Sequence, residues 1–458
     1  MSDKKMDMLN GSLWDKILIF AIPLALTGIL QQVFNATDVA IVGQYVGKHA
    51  MAAVGCNAPV VALVVNLFMG VAIGVNVTIA GFIGINDKEG IGRAVHTACI
   101  TVVLLSIAVA GAAIALAPWI LNLLAVPEDV FEATKTYFMI IIGGLPLMAV
   151  YNCESAVFSS HGDTRTPLLC LTIAGFINVF LNLFFILVLN MDVEGVAIAT
   201  TISNACSAGL LFFFLCRSSH EEFRISMRKL TIDPAILRKI LRLGLPAGMQ
   251  GMVFSLSNIC IQSGINSLGA DFMAASAAAL YIEILVFFLL NSFGQAATTF
   301  IGQNYAVGNY ERCFAVTRIC LYQNMGLTLF LSAILLVFAR FFLGFFNSDP
   351  VILDIGQMRL WFILIPEGVN VLLEVMSGSL RGYGRSLTPA MISLVGICGV
   401  RIIWVTTVFQ SYHDFPVIMA CYPISWVITT TVIIAAYFRF KRRLLSSAKN
   451  KYSATGTV

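Results

Sequence analysis

Long apolar segments recur along the whole chain, and they restrict its possible folds more than any other feature. Each run of about 20 nearly uncharged residues can cross ~30 Å of hydrocarbon as a helix. Only 11% of the 458 residues are charged and 59% are hydrophobic, which leaves too little charge to cover a soluble domain. The sequence therefore predicts an all-α polytopic membrane protein. Twelve transmembrane helices are expected, at residues 14–43, 50–81, 92–117, 130–158, 165–190, 195–216, 236–265, 272–301, 314–338, 352–380, 387–411 and 416–438.

The lysine and arginine residues predict the orientation. With the N-terminus in the cytoplasm, most basic residues fall in cytoplasmic segments and the opposite loops are mostly acidic. We expect both termini to be cytoplasmic and the protein to lie in the plasma (inner) membrane. The net charge of +4 follows from this bias, so nucleic acid is not an expected partner. The eleven cysteines are scattered without C-x-x-C pairs and are interpreted as packing residues.

An internal duplication at an offset of about 222 residues organises the chain. Five pairs of segments correspond in order: Lys16–Pro23 with Lys239–Pro246, Gly28 with Gly251, Gly47 with Gly269, Gly84–Arg93 with Gly302–Arg312, and Gly162–Pro167 with Gly384–Pro389. Each half holds six spans, so the halves are parallel repeats, as in transporters that alternate access between two bundles. The predicted domains are an N-lobe at 1–217, a cytoplasmic linker at 218–235, a C-lobe at 236–440 and a cytoplasmic tail at 441–458.

One acid interrupts the first span, where Asp38 is the only charged residue between Ile17 and Gly47. From the helical rise, Asp38 lies about 7.5 Å below the outer end of its span, and Asn182 about 12 Å below the end of span 5. Asn178 lies one turn deeper on the same helix face, and Thr200 lies about 7.5 Å below the start of span 6. One carboxylate and several neutral oxygens at similar depth suit a proton or a small hard cation.

Several stretches resemble the multidrug and toxic compound extrusion (MATE) transporters. They are Pro23 with the "TDVAIVGQYVG…AMAAVG" stretch, and "FIGQNYAVGNYER" and "GSLRGYGRSLTP" of the second half. The resemblance covers essentially the whole chain. It implies two six-helix bundles forming a V-shaped cleft, and export of amphipathic, often cationic compounds in exchange for Na⁺ or H⁺.

The resemblance also implies a coupling-ion site in the first lobe. Asp38, Asn178 and Thr200 fit the family pattern, whereas Asn182 stands where an acid is common. A bound Na⁺ would then be balanced by one formal charge only, and desolvation favours the protonated form of a buried carboxyl. We therefore favour H⁺ over Na⁺ as the coupling ion. Pro23 lacks an N–H, which makes it a candidate hinge in span 1.

Other polar residues in the spans are candidates for the cleft. Glu154 and Glu374 each follow a proline by eight residues and lie roughly 10 Å from the cytoplasmic end. They could attract cations, or anchor loop backbone and arginines. Glu283, Glu367 and Arg401 lie near mid-membrane, where Arg401 is expected to form a structural ion pair with one of these acids.

Three further interpretations concern neutral residues. Asn370 stands where many family members carry a second-lobe acid, which weakens a cation site there, and Gln295 is a further cleft candidate. The glycine pairs Gly70-x-x-x-Gly74 and Gly244-x-x-x-Gly248 predict close helix packing.

The predicted function is secondary antiport of organic compounds across the lipid bilayer, without catalytic residues, cofactor or metal site. The segment Gly43–His49 does not match a phosphate-binding loop, which leaves an ion gradient as the energy source. We expect a monomer with a small organic substrate as partner. Two alternatives stay open: a flippase for lipid-linked sugars with the same architecture, or a polytopic membrane enzyme or receptor.

Overall fold

Helices occupy all twelve predicted spans in the structure, a computed structural model that describes residues 6–124, 126, 128–225, 231–347 and 349–455. The described residues contain no β-strand. The predicted linker residues 226–230 and tail residues 456–458 lie outside the described part. We number the helices in chain order: α1 (Trp14–Val46), α2 (Lys48–Gly84), α3 (Lys88–Ala115), α4 (Phe131–Ser160), α5 (Arg165–Leu187), α6 (Val193–Cys216), α7 (Pro234–Asn266), α8 (Ala270–Ala306), α9 (Tyr310–Val337), α10 (Pro350–Leu364 and Glu367–Gly382), α11 (Leu387–Tyr412) and α12 (Phe415–Thr455). Two short helices, Ala117–Leu123 and Ala339–Gly344, follow α3 and α9.

Length and composition allow most of these helices to cross a membrane. Among the described residues ten qualify, or eleven if the two parts of α10, bent by 43°, count as one span. The remaining predicted span is α7, in which Gln250, Asn258 and Gln262 lower the hydropathy. The all-α polytopic fold class is therefore confirmed.

The two halves repeat their backbone conformation at the positions that the sequence duplication aligns. Six of the eight described residues with positive φ form three pairs, and every pair ends or begins equivalent helices: Gly47 (120°) with Gly269 (118°), Asn86 (56°) with Gly308 (77°), and Gly162 (97°) with Gly384 (77°). The residues that directly follow Asn86 and Gly308 also cap equivalent helices with their side chains. Asp87 accepts from the Gly90 N–H at the start of α3, and Asn309 accepts from the Arg312 N–H at the start of α9.

Packing divides the chain into two compact units. Unit 1 comprises Met1–Ser255 and Thr299–Cys313, and unit 2 comprises Leu256–Thr298 and Phe314–Val458. The boundaries between these units fall inside α7, α8 and α9. The lobes predicted from the sequence repeat are divided differently, at the 218–235 linker, and that lobe boundary stays a prediction.

Close helix packing in unit 1 depends on the predicted glycine pairs. A side chain at Gly70 would collide with the backbone of Gly248, and one at Gly74 would collide with the Ile240 carbonyl. The glycines therefore allow α2 and α7 to approach until their backbones touch, as in membrane helix pairs built on small residues. The prediction of close packing is confirmed.

Replacing Gly70 with leucine should destabilise unit 1, because the new side chain meets backbone that cannot rotate away. We expect a loss of about 1–3 kcal/mol in the free energy of unfolding, measured by thermal unfolding of the purified protein. Gly111→Leu is the matched control, because a side chain at Gly111 meets nothing within 4 Å. Equal stability of the two variants would contradict the packing assignment.

Candidate functional site

Helices α1, α5 and α6 of unit 1 bring the predicted ion-site residues together. Gly175 lets α5 approach α1, because any side chain there would collide with the Phe34 ring. Asp38 lies one turn beyond Phe34 on α1, and Asn178 and Asn182 lie one and two turns beyond Gly175 on α5. The contact between a glycine and an aromatic ring thus sets the acid beside the two amides.

A continuous hydrogen-bond network joins the four predicted residues. Asn182 Nδ2 donates to Asp38 Oδ1 at 2.6 Å and lies 3.3 Å from Asn178 Oδ1. Thr200 Oγ1 lies 3.1 Å from Asp38 Oδ2 and 2.9 Å from the Val196 carbonyl, and Asn178 Nδ2 donates to Thr200 Oγ1 at 3.4 Å. The structure therefore assembles Asp38, Asn178, Asn182 and Thr200 as one cluster; its role in ion coupling stays a prediction.

The cluster is enclosed by apolar side chains. Asp38 is 6% exposed and Asn182 is fully buried. The surrounding core includes Ile41, Ile186 and Val196. Such surroundings provide no water to hydrate a carboxylate, so protein groups must stabilise its charge or a proton must neutralise it.

Two features of this site were not evident from the sequence. Tyr137 of α4 is buried in the same apolar core as Ile41 and Ile186, and only its place near the outer end of span 4 pointed to it. In addition, α1 continues through a π-helical turn, Val42–Val46, beyond the predicted end at residue 43. Counted from Val46, Asp38 lies about 12 Å below the helix end, deeper than predicted.

The chemistry of the cluster fits a small cationic species. A carboxylate, two amide oxygens and a hydroxyl are available, and the buried Asn182 Oδ1 has no hydrogen-bond partner among the described residues. A proton needs only the carboxylate, whereas a hard metal cation needs several of these oxygens at once. Elsewhere, no group of three His, Cys, Asp or Glu side chains in the described ranges is arranged to hold a metal ion.

In unit 2, Glu283 pairs with an arginine that the sequence analysis did not single out, and its role in the cleft stays a prediction. Arg359 Nε donates to Glu283 Oε1 at 2.7 Å and Arg359 Nη2 to Oε2 at 3.0 Å, with both side chains buried. Glu283 is thus the partner of Arg359 in a bidentate ion pair. The sequence analysis missed Arg359, although it is the only charged residue between Asp354 and Glu367.

Arg401 was expected to pair with a mid-membrane acid, and the structure shows contacts with neutral side chains. Its Nε donates to Ser425 Oγ at 3.2 Å and its Nη1 to Asn258 Oδ1 at 2.9 Å. The guanidinium also lies 4.4 Å from the centre of the Tyr422 ring, a cation–π geometry. These contacts link α11 to α7 and α12, so the structural role of Arg401 is retained with different partners.

Replacing Arg401 with alanine should lower the folded yield. The side chain is fully buried, and each hydrogen bond from a charged donor contributes about 1.5–3 kcal/mol. We expect a reduced monodisperse fraction in size-exclusion chromatography, with the exposed Arg439→Ala as control. A variant that folds normally and only changes its substrate preference would identify Arg401 as a substrate ligand instead.

The remaining cleft candidates lie in different surroundings. In unit 2, Glu367 is 3% exposed and accepts from Asn370 Nδ2 at 3.2 Å. Glu374 accepts from Arg381 Nη2 at 3.2 Å, which is the anchoring role considered for it. Gln295 donates to Asn291 Oδ1 at 2.8 Å. Glu154 belongs to unit 1, where it is 1% exposed.

The predicted hinge Pro23 is buried inside α1, which continues as a helix on both sides of it. Thr27 Oγ1 donates to the Pro23 carbonyl at 2.8 Å. Because proline has no N–H, one backbone hydrogen bond of α1 is missing at this turn. Bending at Pro23 stays a prediction.

Comparison with known proteins places these features in a family. The MatE family profile matches residues 23–184 and 246–407, and its two copies begin at the prolines that the internal repeat aligns, Pro23 and Pro246. YoeA of Bacillus subtilis (strain 168), a probable multidrug resistance protein, is 26% identical over 437 residues, 94% of each chain. NorM of Thermotoga maritima, also a probable multidrug resistance protein, is 27% identical over 398 residues, 84% of each chain.

A solved structure supports the same fold. The crystal structure of MATE in complex with MaL6 is similar with a TM-score of 0.89 at 20% identity, over 97% of this chain and 99% of the other. These related proteins are transporters and not enzymes, as the sequence predicted. With both halves matched by the family profile, the chain belongs to the MatE family of multidrug and toxic compound extrusion transporters.

Proposed function

We propose that the protein exports amphipathic organic cations in exchange for protons, and that Asp38 binds the coupling proton. The family membership supports the general activity, and the similarity to the probable multidrug resistance proteins YoeA and NorM supports the cargo class. The choice of the proton depends on the Asp38 cluster.

The hydroxyl of Thr200 is the observation that carries the proposal. It has one hydrogen but lies within hydrogen-bond distance of two acceptors, the Val196 carbonyl at 2.9 Å and Asp38 Oδ2 at 3.1 Å. Threonine in a helix commonly donates to the carbonyl four residues earlier. If Thr200 does so, a hydrogen is needed between its oxygen and Asp38 Oδ2. A protonated Asp38 supplies that hydrogen and completes the network.

The other carboxylate oxygen argues against Na⁺ in this arrangement. Asn182 directs its amide nitrogen at Asp38 Oδ1, 2.6 Å away, and an N–H in that position occupies an oxygen that a metal cation would need. An acid at position 182 would have added a second negative charge to balance Na⁺. Asparagine leaves a single charge, which one proton neutralises completely.

Deprotonation then provides a switch between conformations. Without its proton, the Asp38 carboxylate competes with the Val196 carbonyl for the Thr200 hydroxyl, so the contact between α1 and α6 changes. A ligand that binds two conformations with different affinity shifts their populations. Pro23, on the same helix as Asp38, gives α1 a turn where such a change can bend it.

The two mid-helix arginines of unit 2, Arg359 and Arg401, do not support the flippase alternative. A flippase for lipid-linked sugars is expected to present arginines to its anionic substrate. Arg359 is 3% exposed and Arg401 is fully buried, and both are engaged by side chains of unit 2. Neither guanidinium is available at an accessible surface.

Transport in proteoliposomes tests the proposal. We expect a cationic dye to be exchanged when a pH gradient alone is imposed, with the membrane potential held at zero by potassium and valinomycin. A Na⁺ gradient at equal pH should have no effect. Transport driven by Na⁺ alone would contradict the assignment of the coupling ion, and failure of both gradients would contradict antiport.

A further inference from the structure

A second buried acid of unit 1, Glu154, lies far from the Asp38 cluster. Glu154 is on α4, about 9 Å before the C-terminal end of this helix at Ser160. This end of α4 lies on the same side of unit 1 as the start of α1, whereas Asp38 lies towards the other end of α1. Glu154 is 1% exposed, because this part of α4 packs against α2, α3 and α6.

Within the described part of the chain, no hydrogen bond stabilises the carboxyl group of Glu154. Neither Oε1 nor Oε2 has a hydrogen-bond partner among the described residues. This distinguishes Glu154 from its counterpart in the repeat, Glu374, which pairs with Arg381. It also differs from Glu283, which pairs with Arg359, and from Asp38, which contacts Asn182 and Thr200.

The groups that face Glu154 do not compensate for a negative charge. Among the described residues, the titratable groups that interact with it are thiols: Cys99 of α3, Cys153 of α4, Cys170 of α5 and Cys216 of α6. From α2, Asn76 directs its amide to the Ala156 carbonyl at 3.3 Å instead. None of these groups is a cation.

The protonation state of Glu154 follows from the burial of its carboxyl group without hydrogen-bond donors. Removing a carboxylate from water costs several kcal/mol when neither a cation nor hydrogen-bond donors replace the water, whereas a neutral carboxyl loses much less. Glu154 therefore carries a proton in this conformation. It can ionise only in a conformation that admits water or brings donors to it, so its proton affinity is coupled to the conformation of unit 1.

We propose that Glu154 is a second proton-binding site, which is occupied in the conformation described here and is emptied in another conformation of the transport cycle. This inference rests on the proposed proton-driven antiport, but it does not require Asp38 to be the first site. Two sites at different depths in one unit allow two protons to be exchanged for each substrate.

The protonation state can be measured directly by infrared spectroscopy. We expect the carbonyl stretch of a protonated carboxylic acid in the purified wild-type protein, with a component that disappears in Glu154→Gln. Glu374→Gln is the spectroscopic control, because its ion-paired carboxylate should contribute no such component. An unchanged band in Glu154→Gln would overturn the proposal.

The number of coupled protons gives a second test. With the membrane potential at zero, a pH difference of about one unit supports a substrate ratio of about tenfold for each exchanged proton. We expect about 100-fold for the wild type and about tenfold for Glu154→Gln. A wild-type ratio of about tenfold, or one that Glu154→Gln leaves unchanged, would overturn the second site.

Two further considerations keep the test decisive. If Glu154→Gln folds poorly because its amide finds no partners, Glu154→Met, which introduces no buried polar group, replaces it in both assays with the same expectations. If the wild type does not respond to a pH gradient at all, the proposed antiport fails, while the infrared band still decides whether Glu154 holds a proton.

Discussion

Replacing Asp38 with asparagine is expected to abolish export driven by a pH gradient while leaving dye binding intact. Asparagine resembles a permanently protonated aspartic acid in shape and neutrality, so the contacts with Asn182 and Thr200 can persist. The variant cannot release a proton at position 38, so it lacks the switch between conformations. Because release of the proton from Glu154 also requires that change of conformation, the variant cannot use the gradient. We expect its gradient-driven accumulation to fall to that of empty liposomes, whereas dye affinity, measured by fluorescence anisotropy, stays near the wild-type value.

Asp15→Asn is the matched control, because it makes the same chemical change at an exposed position of the same helix. It should export normally. Thr200→Val provides an independent test, since it removes the hydroxyl that bonds Asp38 but keeps a similar volume, and it should alter the pH dependence of transport. If Asp38→Asn still exports against a gradient, Asp38 is structural and the proposed coupling is wrong.

Replacing Glu283 with glutamine is expected to cause the largest loss of stability among single changes in unit 2. The substitution leaves the Arg359 guanidinium buried without its counter-charge. Breaking a buried ion pair in this way costs about 3–5 kcal/mol. We expect a lower unfolding temperature in detergent and a smaller folded yield.

The exposed pair of Arg340 and Asp354 is a suitable control, with side chains 62% and 61% exposed. Asp354→Asn should change stability by about 0–1 kcal/mol, as is typical of surface ion pairs. Replacing both members of the buried pair by apolar residues, Glu283→Leu with Arg359→Met, should recover much of the loss. A Glu283→Gln protein as stable as Asp354→Asn would show that the buried pair does not support the fold.

The Asp38 cluster was predictable because helical geometry determines depth. Each residue advances a helix by a fixed rise, so Asp38, Asn182 and Thr200 could be placed at a similar level from the ends of their own spans. The i to i+4 spacing also put Asn178 and Asn182 on one face. The rotation that turns this face towards α1 was not predictable, because it depends on the contact between Gly175 and Phe34.

The partners of the charged residues in unit 2, in contrast to the Asp38 cluster, were not predictable from depth. Depth alone placed Glu283, Glu367 and Arg401 at one level and suggested an ion pair among them. The actual partner of Glu283 is Arg359, on α10. Which side chains meet at a given depth depends on how neighbouring helices pack and rotate against each other, and a single sequence does not contain that information.

The membrane-spanning helices, the repeat and the level of each polar residue were predictable, because they follow from local composition and from a constant helical rise. The divergence between the two halves of the repeat became evident only from the packing of the helices. Glu154 and Glu374 follow equivalent prolines, yet Glu374 pairs with Arg381, while neither carboxyl oxygen of Glu154 has a hydrogen-bond partner among the described residues. The physical reason is that the charge state of a buried acid depends on the groups that other helices bring to it, and not on its place along its own helix.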